Sequence, residues 1–459
     1  MNSEIAVKVK EIGKILSTPS LNALMDWNAK HIIYYHSHLP IVVKDGEGTL
    51  IHDVKGKEYL DFLGQAMAIH VGYGNKKVFE SVKEQLEEFG SITAIASNIP
   101  QIKLARLLST LAPKGLAKSY FTSTGSEAVE LAFKTVRRFT GKGKIICRWG
   151  DYHGWTMGAL GSSGVALFKR SYDPVVPNFI HVSSPYCYRC DYGESYPECN
   201  LACARIIENA AIYEYPETIA AVIVEPIVGA GGAVVPPDKY LPEVRRICDK
   251  HNFPLIVDEV ITGFGRTGKM FCCEHYGISP DIMTLGKGIT SAYAPCAGIM
   301  ARDKIAESVK DYSAGEHFAT YENHPLSCAV ALANIKVIIE DGLVENAEKV
   351  GRYFLKALKD ETEKSSILGE ARGKGLLLGV EIVRDKKTKE PDINLAQKIV
   401  NESLKKGLIC GFSRLRMKNA TIITFGPPLI VGEEEVDQAL NIFTEAVKKT
   451  EKSTLTFTQ

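Results

Sequence analysis

The sequence predicts an α/β protein: a mostly parallel central sheet with helices on both faces, plus a smaller α+β domain near the C-terminus. In the middle of the chain, short apolar runs alternate with segments whose apolar residues recur at helical spacing. Such alternation is typical of a parallel sheet that is buried on both faces. From about Asn323 the pattern changes to long helical stretches with two strand-like runs among them.

The predicted strands of the central sheet are short apolar runs bounded by polar or turn-forming residues. They are Lys118–Thr122, Lys144–Arg148, Ala220–Glu225, Pro254–Glu259 and Asp281–Leu285. The C-terminal part has predicted helices and strands at Pro325–Glu340, Glu345–Lys364, Leu376–Ile382, Thr421–Phe425 and Glu433–Lys449. We therefore expect a large domain over residues 66–323, a small domain over 324–459, and an N-terminal segment, 1–65, that joins the small domain.

Composition argues against several classes of partner. The 459 residues include 55 Lys+Arg and 54 Asp+Glu, a net charge of +1, so nothing favours nucleic acid or an anionic membrane surface. No apolar run is long enough to span a membrane, and the acidic residues near the N-terminus do not fit a secretory signal. Eleven cysteines in such a chain are predicted to be thiols, and we expect a cytoplasmic protein.

Two charged residues lie at the end of a predicted strand or just after one. Asp258 ends an apolar run and precedes a glycine-rich turn, and ligands of α/β sheets bind beyond the carboxyl ends of strands. Lys287 stands between two glycines, which leave its amine room to react; in a dry pocket a lysine amine is a nucleophile toward an aldehyde. Taken singly, the aspartate could merely end a strand and the lysine could lie on a surface loop.

Two further motifs are suited to a flat, phosphorylated ligand. Thr124, Gly125 and Ser126 lie where a strand ends and a helix begins, a place where backbone N–H groups bind anions. The same residues would also serve as a simple helix cap. Tyr152 and His153 could place a ring against a flat cofactor. Together these motifs indicate a ligand with an aldehyde, a phosphate and a nitrogen heterocycle.

In their order along the chain these motifs resemble the class III (omega) aminotransferases, which use pyridoxal 5′-phosphate (PLP) and have PLP fold type I. The resemblance covers nearly the whole chain. The matching segments are Ser123–Ala128, Tyr152–Gly154, Glu225–Ile227, Asp258–Val260, Gly263–Gly268, Lys287 and Thr320–Tyr321.

The resemblance implies a role for each motif. Lys287 would form the Schiff base with PLP and act as general base and acid, while Asp258 would pair with the ring nitrogen. Thr320 would reach the phosphate bound by a neighbouring subunit, which implies a homodimer or a dimer-based tetramer with shared active sites. The implied cofactor-binding residues are Thr124, Gly125, Ser126, Tyr152, His153, Glu225, Asp258, Val260, Lys287 and Thr320.

Two positions bear on the substrate. Thr424 stands where many family members that bind α-carboxylates carry an arginine, and Ala230 stands where ornithine-type members carry the glutamate that pairs with it. The absence of both the arginine and the glutamate of this ion pair is coherent, because a buried glutamate without its arginine would be an unpaired charge. An ornithine- or 4-aminobutyrate-type site is therefore not expected. Arg416 is a candidate substrate carboxylate anchor, and Arg414 is its rival.

The segment Pro185–Ala204 resembles the subgroup that contains taurine:pyruvate aminotransferases. We therefore expect the donor to be taurine, β-alanine, a 3-amino acid or its thioester, or a simple amine, with pyruvate or 2-oxoglutarate as acceptor. Trp27 and Tyr34 are expected to line the substrate pocket. The alternative within the same cofactor chemistry is an amino-acid racemase or epimerase.

Four cysteines in the segment Pro185–Ala204 have spacing that could suit zinc. Buried thiols also act as small apolar groups, and the family needs no metal, so none is predicted. The cysteines are Cys187, Cys190, Cys199 and Cys203.

Overall fold

The structure is a computed structural model. It describes residues 12–13, 15–16, 20–33, 39–91, 96–310, 317–413 and 420–455. The chain divides into two compact units, Met1–Gly46 with Ile51–Glu58, and Glu47–Leu50 with Tyr59–Gln459. The division into domains at residues 65/66 and 323/324 stays a prediction.

The strands are defined first, in chain order. They are β1 Val43–Glu47, β2 Leu50–Asp53, β3 Glu58–Asp61, β4 Leu116–Thr122, β5 Lys144–Arg148, β6 Phe179–Val182, β7 Ile219–Val224, β8 Leu255–Asp258, β9 Ile282–Leu285, β10 Ala297–Arg302, β11 Leu368–Lys374, β12 Leu377–Asp385, β13 Glu390–Pro391, β14 Leu408–Ile409, β15 Gly411–Ser413 and β16 Ile422–Phe425.

The helices follow the same order. They are α1 Leu21–His31, α2 Lys76–Phe89, α3 Ile99–Leu111, α4 Gly125–Thr140, α5 Met157–Ser162, α6 Ala166–Lys169, α7 Ala202–Tyr213, α8 Tyr240–His251, α9 Asp303–Glu307, α10 Pro325–Glu340, α11 Leu343–Lys364, α12 Ile393–Lys405 and α13 Glu433–Leu455. Gly64–Met67 forms a separate left-handed turn, in which Gln65 and Ala66 have φ of 50° and 62°.

The central sheet has the order β4-β10-β9-β8-β7-β5-β6. Strands β6, β5, β7, β8 and β9 are parallel, whereas β10 is antiparallel to both β4 and β9. The predicted, mostly parallel sheet is therefore confirmed, with one antiparallel strand that the sequence pattern had not indicated.

Alternate residues of the central strands enter two different cores. Ile223, Ile256 and Ile282 pack with α4 on one face. Val222, Val257 and Met283 join the larger core, which also takes in residues of α7, α8 and α10. Burial on both faces explains why β7, IAAVIV, is apolar at every position. Polar residues occur instead at the carboxyl ends of the parallel strands.

The C-terminal part is α+β, as predicted. Strands β11, β12, β16 and β15 form an antiparallel sheet in that order, and β13 adds to the edge of β12. Helices α11, α12 and α13 accompany this sheet, with α11 contacting β11 and α12 contacting α13. Leu60 of β3 pairs in parallel with Leu408 of β14, so N-terminal backbone is part of this region.

No helix in the described part of the chain offers an apolar stretch long enough to cross a bilayer.

Candidate active site

Asp258 is the last residue of β8, at the carboxyl edge of the central sheet, and it is only 4% exposed. Its Oδ1 accepts hydrogen bonds from Thr284 Oγ1 (2.8 Å) and the amide of Val260 (3.1 Å). Its Oδ2 lies 2.7 Å from His153 Nδ1. Three donors around one carboxylate make the burial of its charge tolerable. This carboxylate is thus held ready to pair with a further cation.

His153 is almost fully buried, and its ring nitrogen is directed at Asp258. A carboxylate can only accept, so Nδ1 carries the hydrogen in this contact. The sequence predicted a ring placed against a cofactor but gave no sign of this bond, because the two residues are 105 positions apart.

Lys287 begins a short 3₁₀ turn directly after β9, and its Nζ donates to the carbonyl of Ala66 at 3.0 Å. Burial of the amine is the main cause that lowers the pKa of Lys287 to about 8, and nearby Arg266 acts in the same direction. Glu225 and Asp258 act in the opposite direction. Because of the lowered pKa, a large fraction of the amine is neutral, and therefore nucleophilic, at mildly alkaline pH.

Val260 connects the lysine turn to the start of α4. A Cβ placed on Gly286 would lie 3.1 Å from Val260 Cγ1, and a Cβ on Gly125 would lie equally close. The Val260 side chain therefore packs against both glycines. The structure brings together the Lys287 turn, the end of β8 and the predicted phosphate turn at this edge of the sheet.

The predicted phosphate turn is also a helix cap. Thr124 Oγ1 accepts from the amide of Glu127, whose carboxylate accepts from the amides of Ser123 and Thr124. These capping bonds use the amides of Ser123, Thr124 and Glu127. Among the hydrogen bonds of the described residues, none uses the amides of Gly125 and Ser126, which lie at the N-terminus of a 16-residue helix. Backbone N–H groups at that place suit a phosphate. The capping and anion-binding interpretations are therefore compatible.

Tyr152 is positioned by a buried glutamate. Glu225 Oε1 accepts from the amide of Tyr152 at 2.8 Å, and Oε2 accepts from the amide of Gly229 at 2.9 Å. Burial, with Asp151 and Asp258 nearby, holds the pKa of Glu225 well above its usual range. The Tyr152 ring is half-buried and meets Phe168 edge-on, with 5.3 Å between ring centroids. The Tyr152 side chain is thus carried on a backbone that Glu225 holds in place.

A buried ion pair behind this segment was missed from the sequence. Arg148, at the end of β5, binds Asp151 in bidentate fashion at 2.8 Å on both sides, and it also donates to the Glu225 carbonyl. Both side chains are at most 1% exposed. An arginine at a strand end three residues before an aspartate was the available signal, but many surface pairs share it.

Gly154 allows the Tyr152 segment to contact the start of α4. Its φ is +139°, and a Cβ there would lie 2.5 Å from Ser126 Oγ and 2.9 Å from Ser126 Cα. We expect Gly154→Ala to weaken PLP binding by about 10-fold, because the strain of such a backbone is worth about 1–3 kcal/mol and the methyl would displace Ser126. Titration of the cofactor into the variant, followed by absorbance, measures the effect.

Gly193→Ala is the matched control for this variant. Gly193 also has a positive φ, +66°, but a Cβ there would meet no atom within 4 Å. Equal loss of PLP affinity in both variants would show that Gly154 does not act through the phosphate turn.

Several predicted site residues are not brought to this edge of the sheet by any described contact. Thr320 is exposed. Trp27 is half-buried on α1, in the N-terminal unit. Tyr34, Arg414 and Arg416 lie outside the described residues. The roles of all five stay predictions.

The two positions that bear on the substrate, 424 and 230, carry uncharged side chains. Thr424 is 5% exposed in β16 and pairs with Gly379 and Gly411 in the neighbouring strands. Ala230 is partly buried in the loop after β7 and packs against the main core.

The four cysteines of the segment Pro185–Ala204 line one cavity, together with Tyr192. Cys187 is exposed and the other three are partly buried. Within the described ranges, no group of three or more His, Cys, Asp or Glu side chains is arranged to hold a metal ion.

The residues at the sheet edge fit PLP. A lysine amine with a lowered pKa suits its aldehyde, a buried hydrogen-bonded carboxylate suits its ring nitrogen, and the N-terminus of α4 suits its phosphate. A methyl group on Gly125 or Gly286 would crowd Val260 and fill space in this site.

Comparison with known proteins agrees with this fit. The family model for class III aminotransferases matches residues 33–447. The chain is 35% identical to a taurine–pyruvate aminotransferase of Bilophila wadsworthia, over 89% of this chain and 92% of that protein. It is 33% identical to a leucine/methionine racemase of Thermococcus litoralis, over 91% and 92%.

Among solved structures, an (S)-enantioselective omega-transaminase from Thermomicrobium roseum superposes with a TM-score of 0.89 at 36% identity, over 95% of this chain and all of that one. This likeness confirms PLP fold type I. The family model and these relatives together show that the chain belongs to the class III aminotransferases, enzymes that depend on pyridoxal 5′-phosphate.

Proposed function

We propose that this aminotransferase takes the amino group of an omega- or beta-amino donor and passes it to pyruvate or 2-oxoglutarate, with Lys287 as its catalytic lysine. The observation that carries the choice of lysine is the position of Lys287 after β9, with a pKa lowered to about 8 by burial. The donor class rests on Thr424 and Ala230, which replace the ion pair of ornithine-type members.

In this proposal each residue has one task. Lys287 Nζ would hold the cofactor through its aldehyde, and the same amine would carry the proton taken from the amine-bearing carbon of the donor. Asp258 keeps the ring nitrogen cationic, with His153 and Thr284 fixing the carboxylate. When bound, PLP supplies the electron sink that stabilises the electron pair left behind by that proton.

The remaining residues bind and orient. The Gly125 and Ser126 amides would take the phosphate, and Tyr152 and Val260 would pack against the ring. Glu225 fixes the backbone of Tyr152 through its amide. Exposed Thr320 is proposed to serve a second copy of the chain, so that the active form is a homodimer with shared sites.

The donor class is inferred from the residues that would contact the end of the substrate opposite its reacting amine. An α-carboxylate needs a cationic partner, and Thr424, at the usual place of that partner, is a buried hydroxyl in β16. A buried carboxylate without a partner is strongly disfavoured. Taurine, β-alanine, a 3-amino acid or its thioester, and simple amines do not need an arginine at this position, and Arg416 remains the proposed anchor for the acid group of the donor or of the keto-acid acceptor.

A donor panel tests this proposal. With pyruvate as acceptor and alanine formation as the readout, we expect taurine or β-alanine to exceed ornithine and 4-aminobutyrate in kcat/KM by at least about 10-fold, the scale of one misplaced polar group. The panel is repeated with 2-oxoglutarate, with glutamate formation as the readout. Conversion of L-leucine to D-leucine with no keto acid present would instead support the racemase alternative.

A further inference from the structure

The turn that carries Lys287 has a backbone that other residues must hold. Lys287 has φ of +43°, and Ser291 and Ala292, a few residues later, have φ of +50° and +59°. Side chains with a Cβ are disfavoured in this left-handed region. Such strain persists only where the surroundings over-determine the backbone.

Asn334 is the first of three residues that bind this turn. It lies on α10, is fully buried, and donates through both hydrogens of Nδ2 to the carbonyls of Gly288 (2.7 Å) and Ile289 (2.9 Å). Its Oδ1 accepts from Ser291 Oγ at 2.6 Å. Three of the amide's four hydrogen-bond positions thus serve residues of the Lys287 turn.

Ser291 links Asn334 to a second segment of the chain, residues 70–71. Its Oγ accepts from the amides of His70 (3.1 Å) and Val71 (3.2 Å) while it donates to Asn334. The Ser291 hydroxyl therefore connects the end of the Lys287 turn with residues 70–71, and one buried oxygen forms three hydrogen bonds.

His70 supports the turn from the other side. Its ring packs so closely on Gly288 that a Cβ there would lie 2.1 Å from His70 Cε1. Nδ1 lies 2.9 Å from the carbonyl of Phe264, which can only accept, so Nδ1 carries the hydrogen. Burial, with Arg266 and Lys287 nearby, holds the pKa of His70 well below its usual range. The ring is therefore neutral at neutral pH.

We infer that His70, Ser291 and Asn334 form a bracket of positioning residues that holds Lys287 in its left-handed conformation and keeps its amine inside the site. The inference rests on the proposed role of Lys287. None of the three has a described contact with the predicted phosphate turn or with Asp258. They act on the reaction through the backbone of the lysine turn.

A purely structural role makes a different prediction from a positioning role. A buried asparagine that only fills a helix interface would cost stability when removed, and nothing more. If Asn334 positions Lys287, removal of the Asn334 side chain also lets the Lys287 turn relax and exposes the Lys287 amine to more solvent. The pKa of Lys287 would then rise from about 8 toward its ordinary 10.5. The charges that face the amine, Glu225, Asp258 and Arg266, stay the same in both cases.

The chain contains a matched control for this comparison. Asn346, on α11, donates through its Nδ2 to two backbone carbonyls, of Leu429 (2.6 Å) and Val431 (3.0 Å), but does not contact the Lys287 turn. Asn334→Ala and Asn346→Ala therefore remove the same kind of interaction from different places.

The experiment measures the Lys287 amine in the full-length, cofactor-free protein. Each variant is treated with an amine acylating reagent from pH 6 to pH 11, and labelling of the Lys287 peptide is followed by mass spectrometry. Only the neutral amine reacts, so the rate in the wild type should be half-maximal near pH 8. In Asn334→Ala we expect that midpoint to rise by about one unit, so that labelling at pH 8 is about 5-fold slower.

The PLP-loaded enzymes give the second readout. We expect Asn334→Ala to lower kcat by about 10-fold with little change in KM, because the defect lies in the catalytic amine. Asn346→Ala should match the wild type in labelling and kcat, whatever its melting temperature. Labelling and kcat like those of the wild type in Asn334→Ala would overturn the inference.

Two further variants keep the test decisive if Asn334→Ala does not fold. Ser291→Ala removes the hydroxyl link and should shift the labelling midpoint in the same direction. His70→Asn keeps a donor at the position of Nδ1 and should retain more activity than His70→Ala; equal kcat in both would count against the bracket. Failure of the proposed function is distinguishable, because a dispensable Lys287 would leave turnover intact in Lys287→Ala whatever the labelling shows.

Discussion

Replacing Lys287 with alanine is expected to lower the rate of transamination by at least about 10³-fold, the combined scale of losing a nucleophile and a general acid–base group. The amine, whose pKa is lowered to about 8, is removed, and the hydrogen bond to the Ala66 carbonyl is lost with it. The predicted phosphate turn and Asp258 are untouched, so the variant should still bind PLP, but without the visible absorption that bleaches when donor is added to the wild type.

The measurement combines turnover with an absorption spectrum of the PLP-loaded protein. Lys336→Ala is the control, because that lysine lies on α10 with its side chain 69% exposed. A Lys287→Ala protein that keeps full turnover would remove the lysine from the mechanism. Restoration of part of the activity by a small added primary amine would support the role of Lys287 as a proton carrier.

How much of this site could be predicted depended on sequence distance. Lys287, Asp258 and the phosphate turn each lie at the end of a strand or just after it, so local pattern and chain order indicated them. The bond between His153 and Asp258, and the bracket around Lys287, join residues that are 43 to 221 positions apart. Local periodicity carries no information about such pairs.

The fold shows the same limit. The apolar runs of β7, β8 and β9 were predicted to within one or two residues, because burial on both faces makes these strands almost entirely apolar. Strand β10 was missed, although it is almost entirely buried. Its sequence, AGIMAR, contains small residues that fit against β4, and a Cβ on Gly298 would lie 2.4 Å from the carbonyl of Tyr120. Close backbone approach removed the bulky residues on which the pattern depends.

Asp258→Asn is the second change with a large expected effect. Asp258 accepts from His153, Thr284 and the amide of Val260, and an asparagine can accept at only one of its two positions. Its NH₂ would face a donor unless His153 moves its hydrogen to Nε2. More important, the negative charge that would keep the cofactor's ring nitrogen protonated is lost. We expect kcat to fall by about 10²–10³-fold, comparable to removing one preorganised electrostatic contact.

Asp281→Asn separates this effect from a general loss of structure. Asp281 lies just before β9, at the other end of the strand from Lys287, and it binds Arg245 at 2.6 Å and the amide of Leu255 at 2.8 Å. Its neutralisation should lower the melting temperature while kcat stays within about 3-fold of the wild type, since its bonds to Arg245 and to the amide of Leu255 lie at the opposite end of β9 from Lys287. If the two variants lose kcat equally, the charge of Asp258 acts on folding and not on the ring nitrogen. If only Asp258→Asn loses it, the carboxylate at the end of β8 is part of the chemistry.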